Sequence, residues 1–361
     1  MKKNYTLLLL FTFALAFAQP PAGYYNSATG TGYTLKTQLY NIINDHNDRG
    51  YAGLYTTYTT SDKDFFYENN GTMLDMYTEN PTGSECEFTY GTNQDDGTLG
   101  NNECERYNRE HLIPQAVFGG SSGTPMYSDA HFVVPSDKHV NGVRADFPFG
   151  RVGSATFTSI NGSKLGQNLN SGYSAGYSGV VFEPINEFKG DIARMLFYFA
   201  TRYQNVVAGY SYPMFNGTGN QVFTDTFKNI LLTWNAQDPV STREIARNNA
   251  IYARQNNRNP YIDNNSYVTS VWGAPLATSE FDSFAAVSVY PNPSNTRKIN
   301  ILSPLVLDDI QLVAINGQLI SEIKTPVAQD NIYTLENLPQ GFYFLRLSAN
   351  GQTTTKKIII N

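Results

Sequence analysis

Residues 108–150 read "NREHLIPQAVFGGSSGTPMYSDAHFVVPSDKHVNGVRADFPFG", and the fold of the chain turns on how this stretch is organised. "HLI" (111–113) is expected to leave a short strand, and "AHFVV" (130–134) alternates as a second one. Ser136 is then expected to cap a short helix that carries Asn141 and is loosened at Gly142. The order is strand, loop, strand, helix. It sets the end of the first strand against the first turns of the helix, so that Glu110, His111 and Asn141 converge.

Those three side chains suit attack on a phosphodiester. A carboxylate and an amide oxygen are hard donors of the kind Mg²⁺ or Ca²⁺ takes, and they leave most coordination positions to water and phosphate. A neutral imidazole beside such an ion can take a proton from an attacking water. A zinc-peptidase reading of Glu110-His111 fails, because HExxH needs two histidines one helical turn apart around the Glu.

Working outward, the chain begins "MKKNYTLLLLFTFALAFAQP". Lys2 and Lys3, the apolar run Leu7 to Phe17 and the small residues Ala16 and Ala18 read as a secretory leader cut after Ala18. The run is too short for a retained membrane anchor. Losing Lys2 and Lys3 leaves the remainder two charges more negative than the −6 of the full chain. Bulk charge therefore does not hold nucleic acid, and any such binding needs a local basic patch or a metal. The two cysteines, Cys86 and Cys104, are expected to form a disulfide in an exported chain, worth on the order of 3 kcal/mol.

"GYTLKTQLYNIINDH" places Leu35, Leu39, Ile42 and Ile43 on one helical face. Residues 62–100 are rich in Asn, Gly, Asp and Thr and read as irregular loops with short strands. "KGDIARMLFYFATRY" (189–203) is apolar nearly all round, which predicts a central helix. "STREIARNNAIYARQNNRNPY" reads as another, capped by Ser241 and stopped by Pro260. Beyond "GAPLATSEFDSFAAVS" the chain turns to short alternating strands, with hairpin signals at Asn316-Gly317 and Asn350-Gly351.

The central stretch resembles the bacterial endonuclease I family, whose ββα-metal (His-Me) finger carries "NREHxxPQ" and then "DxHxxxP…VNGxRxxxPFG". These blocks stand here at Asn108 to Gln115, Asp129 to Pro135 and Val140 to Gly150. "AGYYNSATGTGYTLKTQL", "FEPINEFKGDIARMLFYFATRY" and "WNAQDPVSTREIARNNAIYARQNNRNPYID" look like further family blocks in the family's order. The resemblance implies that His111 is the general base and that Glu110 and Asn141 hold one divalent metal. Mg²⁺ is the expected ion, with Ca²⁺ or Mn²⁺ as alternatives. The sequence departs at Phe132, where many relatives carry a His or an Asn. "VSVYPNPSNTRKINI", "NLPQGFYFLRL" and the terminal "KKIII" resemble the type A sorting domain of the type IX secretion system of Bacteroidetes.

The expected fold is therefore α+β: a His-Me finger nuclease domain with several helices, then a small all-β sandwich. The expected layout is a leader at 1–18, a nuclease domain at 19–275, a linker at 276–286 and a sorting domain at 287–361. The expected function is that of a secreted, metal-dependent, non-specific endonuclease acting on DNA, RNA or both. Its products carry 5′-phosphates, and the mature chain is a monomer without a membrane span, handled by the type IX machinery. The competing class is a non-catalytic surface or adhesion protein that retains the nuclease fold.

Other polar residues divide between chemistry and structure. His131 either orients the site or is a buried ring bonded to backbone. His139 is expected at the surface, and His46 at a helix end. Asp191 and Arg194, three apart on an apolar helix, read as a buried ion pair. Arg144 reaches a phosphate or pairs with Asp146. Arg243, Arg247, Arg254 and Arg258 fall in an arc of roughly 60° on a helix of 3.6 residues per turn. Such a stripe suits a phosphate backbone or, equally, a set of salt bridges.

Overall fold

A computed structural model describes residues 20–123, 125–273, 287–315, 317–349 and 352–361. The leader expected at 1–18 and the linker expected at 276–286 lie outside them. The chain divides into two compact units, with the boundary between Leu276 and Ala277.

The first unit mixes helices with two small sheets. Helices α1 (Gly32–Ile43) and α2 (Gly50–Ser61) precede strand β1 (Tyr107–His111), which pairs antiparallel with β2 (Val133–Asp137). Helix α3 (Lys138–Arg144) follows at once. Strands β3 (Val152–Thr158), β4 (Lys164–Asn168) and β5 (Val180–Glu183) then make an antiparallel sheet in the order β3-β4-β5. Helices α4 (Lys189–Arg202), α5 (Asp225–Gln237), α6 (Thr242–Gln255), α7 (Pro260–Asp263) and α8 (Ser266–Trp272) complete the unit. No helix of the described residues is long and apolar enough to cross a membrane.

Helix α4 is the centre. Every one of its residues is buried, as the all-round apolar pattern of 189–203 predicts. Two of its charges, Asp191 and Arg194, are paired in place: Arg194 meets Glu244 at 2.5 Å and Asp191 at 3.3 Å, and Arg243 closes on Asp191 from α6. Helix α1 buries Leu35, Leu39 and Ile43. Helix α6 starts with a capping box in which Ser241 and Glu244 satisfy each other's backbone N–H groups. It ends at Asn256, whose left-handed φ of 62° releases the chain. The expected stop at Pro260 is thus corrected: that proline opens α7 instead, as its missing N–H allows.

Residues 62–100 are irregular, tied by antiparallel bridges from Lys63 to Met73 and from Met73 to Phe88. A disulfide joins Cys86 to Cys104, with their Cα atoms 4.8 Å apart. It fastens this loop to the segment that enters β1.

The second unit is all-β. Strands β6 (Ser288–Tyr290), β7 (Ile299–Leu302) and β10 (Ile332–Leu335) form a sheet in the order β10-β7-β6. Strands β8 (Asp309–Ala314), β9 (Leu319–Lys324), β11 (Gly341–Ala349) and β12 (Gln352–Ile360) form another in the order β12-β11-β8-β9. In β11 Tyr343, Leu345, Leu347 and Ala349 are buried, the period of two that a strand imposes. They share one core with Ile299 and Ile301 of the other sheet.

Candidate active site

Antiparallel pairing sets Glu110 opposite Val134 and His111 opposite Val133 at the end of β1. The chain enters α3 directly from β2. The N-cap is Asp137, not Ser136: the Asp137 carboxylate accepts the Val140 N–H at 2.9 Å, while Ser136 is buried in the strand. A charged cap at the positive end of a short helix fixes where Asn141 sits.

Side chains alternate along a strand, so β1 sends its residues two ways. Asn108 and Glu110 face α3. There the Asn141 amide donates to Asn108 Oδ1 at 2.8 Å, and Arg144 donates to Glu110 Oε1 at 2.9 Å. The phenol of Tyr77 donates to the same Oε1 at 2.7 Å. Arg109 and His111 point the other way, toward α2. The Arg109 guanidinium lies 3.5 Å from the ring centre of Tyr51 and 4.2 Å from that of Tyr55. Tyr51 also stacks near the His111 ring. Adjacent residues of one strand are thereby given different surroundings, and the two faces meet again around one cavity of about 280 Å³.

His111 is held firmly. Its ring stacks on Tyr127 at 5.3 Å and touches Phe118, and its Nε2 lies 3.1 Å from the Tyr127 carbonyl. A carbonyl only accepts, so Nε2 carries the proton and Nδ1 keeps its lone pair. Burial pushes the imidazole pKa from 6.5 down to about 4; the Tyr127 carbonyl opposes this, and the Arg109 and Arg144 charges add to it. Burial likewise raises the Glu110 carboxyl, restrained by Arg144 and Tyr77. A larger, mostly apolar hollow of about 570 Å³ opens beside this cavity, sharing Ala145 and Asp146 with it and walled by Phe147, Tyr177 and Tyr212.

Comparison with known proteins gives this geometry a family. Residues 31–266 match the Endonuclease I family, and residues 288–361 match the secretion system C-terminal sorting domain. The chain belongs to the Endonuclease I family. It is 33% identical over 257 residues to an extracellular ribonuclease of Bacillus amyloliquefaciens, covering 69% of this chain and 78% of that one. It is 34% identical over 254 residues to the extracellular ribonuclease of Bacillus subtilis strain 168, with the same shares. This Endonuclease I family member is a secreted nuclease, and its sorting domain directs type IX export to the cell surface or the medium.

Several expectations for this nuclease are corrected by its packing. Arg144 is fully buried and reaches neither Asp146 nor open solvent; beyond Glu110 it donates to the carbonyls of His111 and Leu112 at 2.9 and 2.8 Å. It ties β1 to α3. The arginine stripe is not a phosphate groove. Arg243 pairs with Asp191, Arg247 with Asp62 at 2.7 Å and Arg258 with Asp263 at 2.6 Å, all buried. Arg258 lies beyond the end of α6 altogether. Arg254 alone of the four is half-buried, its Nε donating to Thr57.

His131 is structural. Its Nε2 meets the Asn257 carbonyl at 3.1 Å beneath the ring of Tyr198. Beside it Asp129 accepts from Tyr198, Tyr203 and Gln255. Phe132, at the position of the family departure, packs into the core against Phe118, Phe199 and Tyr203. His46 contacts Arg202 through Nδ1, and the half-buried His139 lies edge-on to Phe157. Reading the sequence alone passed over Tyr77, Arg109 and Tyr127. Arg109 stands in plain view inside "NREH"; Tyr77 comes from a separate segment, and Tyr127, although inside the 108–150 stretch, meets His111 through its backbone carbonyl, which no residue type announces.

Proposed function

We propose that this protein is an extracellular endonuclease that hydrolyses phosphodiester bonds with His111 as general base, using a divalent ion held by Glu110 and Asn141. The observation that carries the reading is the Nε2 contact of His111 with the Tyr127 carbonyl, which leaves a neutral, oriented Nδ1. The donor set fits a hard cation. Glu110 is a buried carboxylate whose Oε1 is pinned, and the Asn141 NH₂ is spent on Asn108, which leaves its Oδ1 as the donor. The chemistry such an ion supplies is stabilisation of charge on the phosphate and the leaving oxygen.

The remaining work falls to this chain's own residues. Nδ1 of His111 takes a proton from a water, and that oxygen bonds to phosphorus as the bond to the 3′ oxygen breaks. The products are a 5′-phosphate and a 3′-hydroxyl that gains a proton from solvent. Arg109 forms no salt bridge among the described residues, and its guanidinium lies over the rings of Tyr51 and Tyr55. It is the cation available to a substrate phosphate. Backbone contacts of this kind do not read sequence, which fits non-specific cleavage.

RNA is the first substrate to try, because both Bacillus relatives are extracellular ribonucleases. The test is a gel assay with RNA and DNA side by side, in Mg²⁺, in EDTA, and with His111→Ala. Cleavage is expected only from the unaltered chain with metal. Cleavage by His111→Ala, or in EDTA, would overturn the mechanism; no cleavage of either polymer would favour a non-catalytic surface protein.

A further inference from the structure

Away from this site, the loop 62–85 gathers carboxylates. One oxygen each of Glu68, Glu79 and Glu85 lies within 4.8 Å of the others. Glu79 is almost wholly buried, and its Oε1 has no hydrogen-bond partner. Asp64 is fully buried; its Oδ1 accepts the Phe66 and Tyr67 N–H groups, but its Oδ2 has no partner either. Its charge acts on both Glu79 and Glu85. None of the salt bridges among the described residues reaches any of the four.

Buried acids with unpartnered oxygens are costly, and a protein resolves the cost with a proton or a cation. We propose that Glu68, Glu79 and Glu85, backed by Asp64, form a Ca²⁺ site distinct from the Glu110–Asn141 pair. The ligands are all oxygen, which excludes a zinc-type site. Three carboxylates on an irregular loop suit Ca²⁺, which accepts roughly six to eight oxygens in flexible geometry, better than Mg²⁺, which demands a near-ideal octahedron and keeps its waters. Without Ca²⁺, burial and then the neighbouring Glu85 drive the Glu79 pKa up to about 10, the proton substituting for the cation.

The site has a mechanical consequence. The same loop supplies Tyr77, which donates to Glu110, and Asp75, which accepts the Asp137 N–H at 2.8 Å. An ion between Glu68 and Glu85 clamps both ends of the segment bearing these contacts. Ca²⁺ is therefore assigned to holding the loop, not to the reaction.

The test is calorimetric titration of the full chain with CaCl₂ in Mg²⁺-free buffer. A Glu110→Gln/Asn141→Ala background removes the other candidate donors. One Ca²⁺ per chain is expected to bind in that background and to raise Tm. Adding Glu79→Gln is expected to abolish both effects. The Glu68→Gln change, at an exposed position that leaves folding intact, is expected to weaken binding about tenfold or more. No Ca²⁺ heat in the background, or heat unchanged by Glu68→Gln and Glu79→Gln, would overturn the proposal.

Discussion

Tyr77 and Glu110 come from segments far apart in sequence and meet at one oxygen. A group that orients a metal ligand without touching the metal commonly controls affinity by about 10–100-fold. Tyr77→Phe keeps the ring and removes only the donor, so it is expected to raise the Mg²⁺ concentration for half-maximal cleavage by about that factor with little effect on Tm. An unchanged Mg²⁺ requirement would show that Glu110 is held by Arg144 alone. His131 makes a separate prediction about pH. Burial holds its imidazole neutral down to about pH 4, partly opposed by Asp129, whereas the unfolded ring takes a proton near 6.5. Between those values the unfolded chain binds more protons, so stability rises with pH. The contribution is complete above pH 6.5 and is lost as the pH falls through 4, at up to about 1.4 kcal/mol per pH unit. In urea unfolding at pH 7 and pH 5, His131→Gln is expected to show the shallower loss; equal losses would mean that the ring is already charged in the folded state.

Short elements decide how accurately these residues are presented, and α3 is the clearest case. It has only seven residues and cannot hold itself together, so its cap matters disproportionately. Asp137 accepts from Val140 and from the Cys104 N–H at 2.7 Å, joining the helix start to the disulfide. Asp137→Ala is expected to cost about 1–2 kcal/mol in denaturant unfolding and to lower nuclease activity in the same protein, because Asn141 loses its frame; activity unchanged at that stability loss would separate the cap from the site. Periodicity made α1, α4 and the Ser241 start of α6 legible, since one buried face or a fully apolar helix writes itself into the residue order. Helix α2, "GYAGLYTTYTTS", did not show itself, because Gly and Thr are poor helix formers and only packing of Leu54 and Tyr58 sustains it. The arginines of α6 mark the limit of such reading. Their spacing gives the face they share, but whether that face meets phosphate or Asp62 and Asp191 depends on elements 185 and 52 residues away along the chain. Arg247→Ala leaves Asp62 buried without its partner and is expected to destabilise by about 3–5 kcal/mol, with activity per folded molecule and its salt dependence unaltered; a flattened salt dependence would restore the groove.

For the whole molecule, the two units have separate hydrophobic cores. Trp234, Leu196 and Phe132 belong to one, and Ile301, Leu345 and Ile358 to the other, with no residue in common. Every side chain assigned to the cavity around His111, and every carboxylate of the Glu79 cluster, lies in the first unit. That unit is also large enough to bury its own core, with the Cys86–Cys104 bond closing its most irregular loop. The composition change near residue 276 already exposes this division, because alternating strands and all-round apolar helices write different patterns. The sorting unit adds two β-sheets, and among its described residues no three His, Cys, Asp or Glu side chains come together as a metal donor set. Catalysis and delivery are therefore expected to separate cleanly. A chain ending at residue 276 should fold, keep one disulfide, and cleave nucleic acid with kcat/KM within about twofold of the full chain, since no group acting on the transition state has been removed. In the secreting organism the same truncation should leave the nuclease inside the cell envelope. A truncated chain that unfolds or loses activity in vitro would show that the second unit completes the first, and that the division into a catalytic and an exported part is wrong.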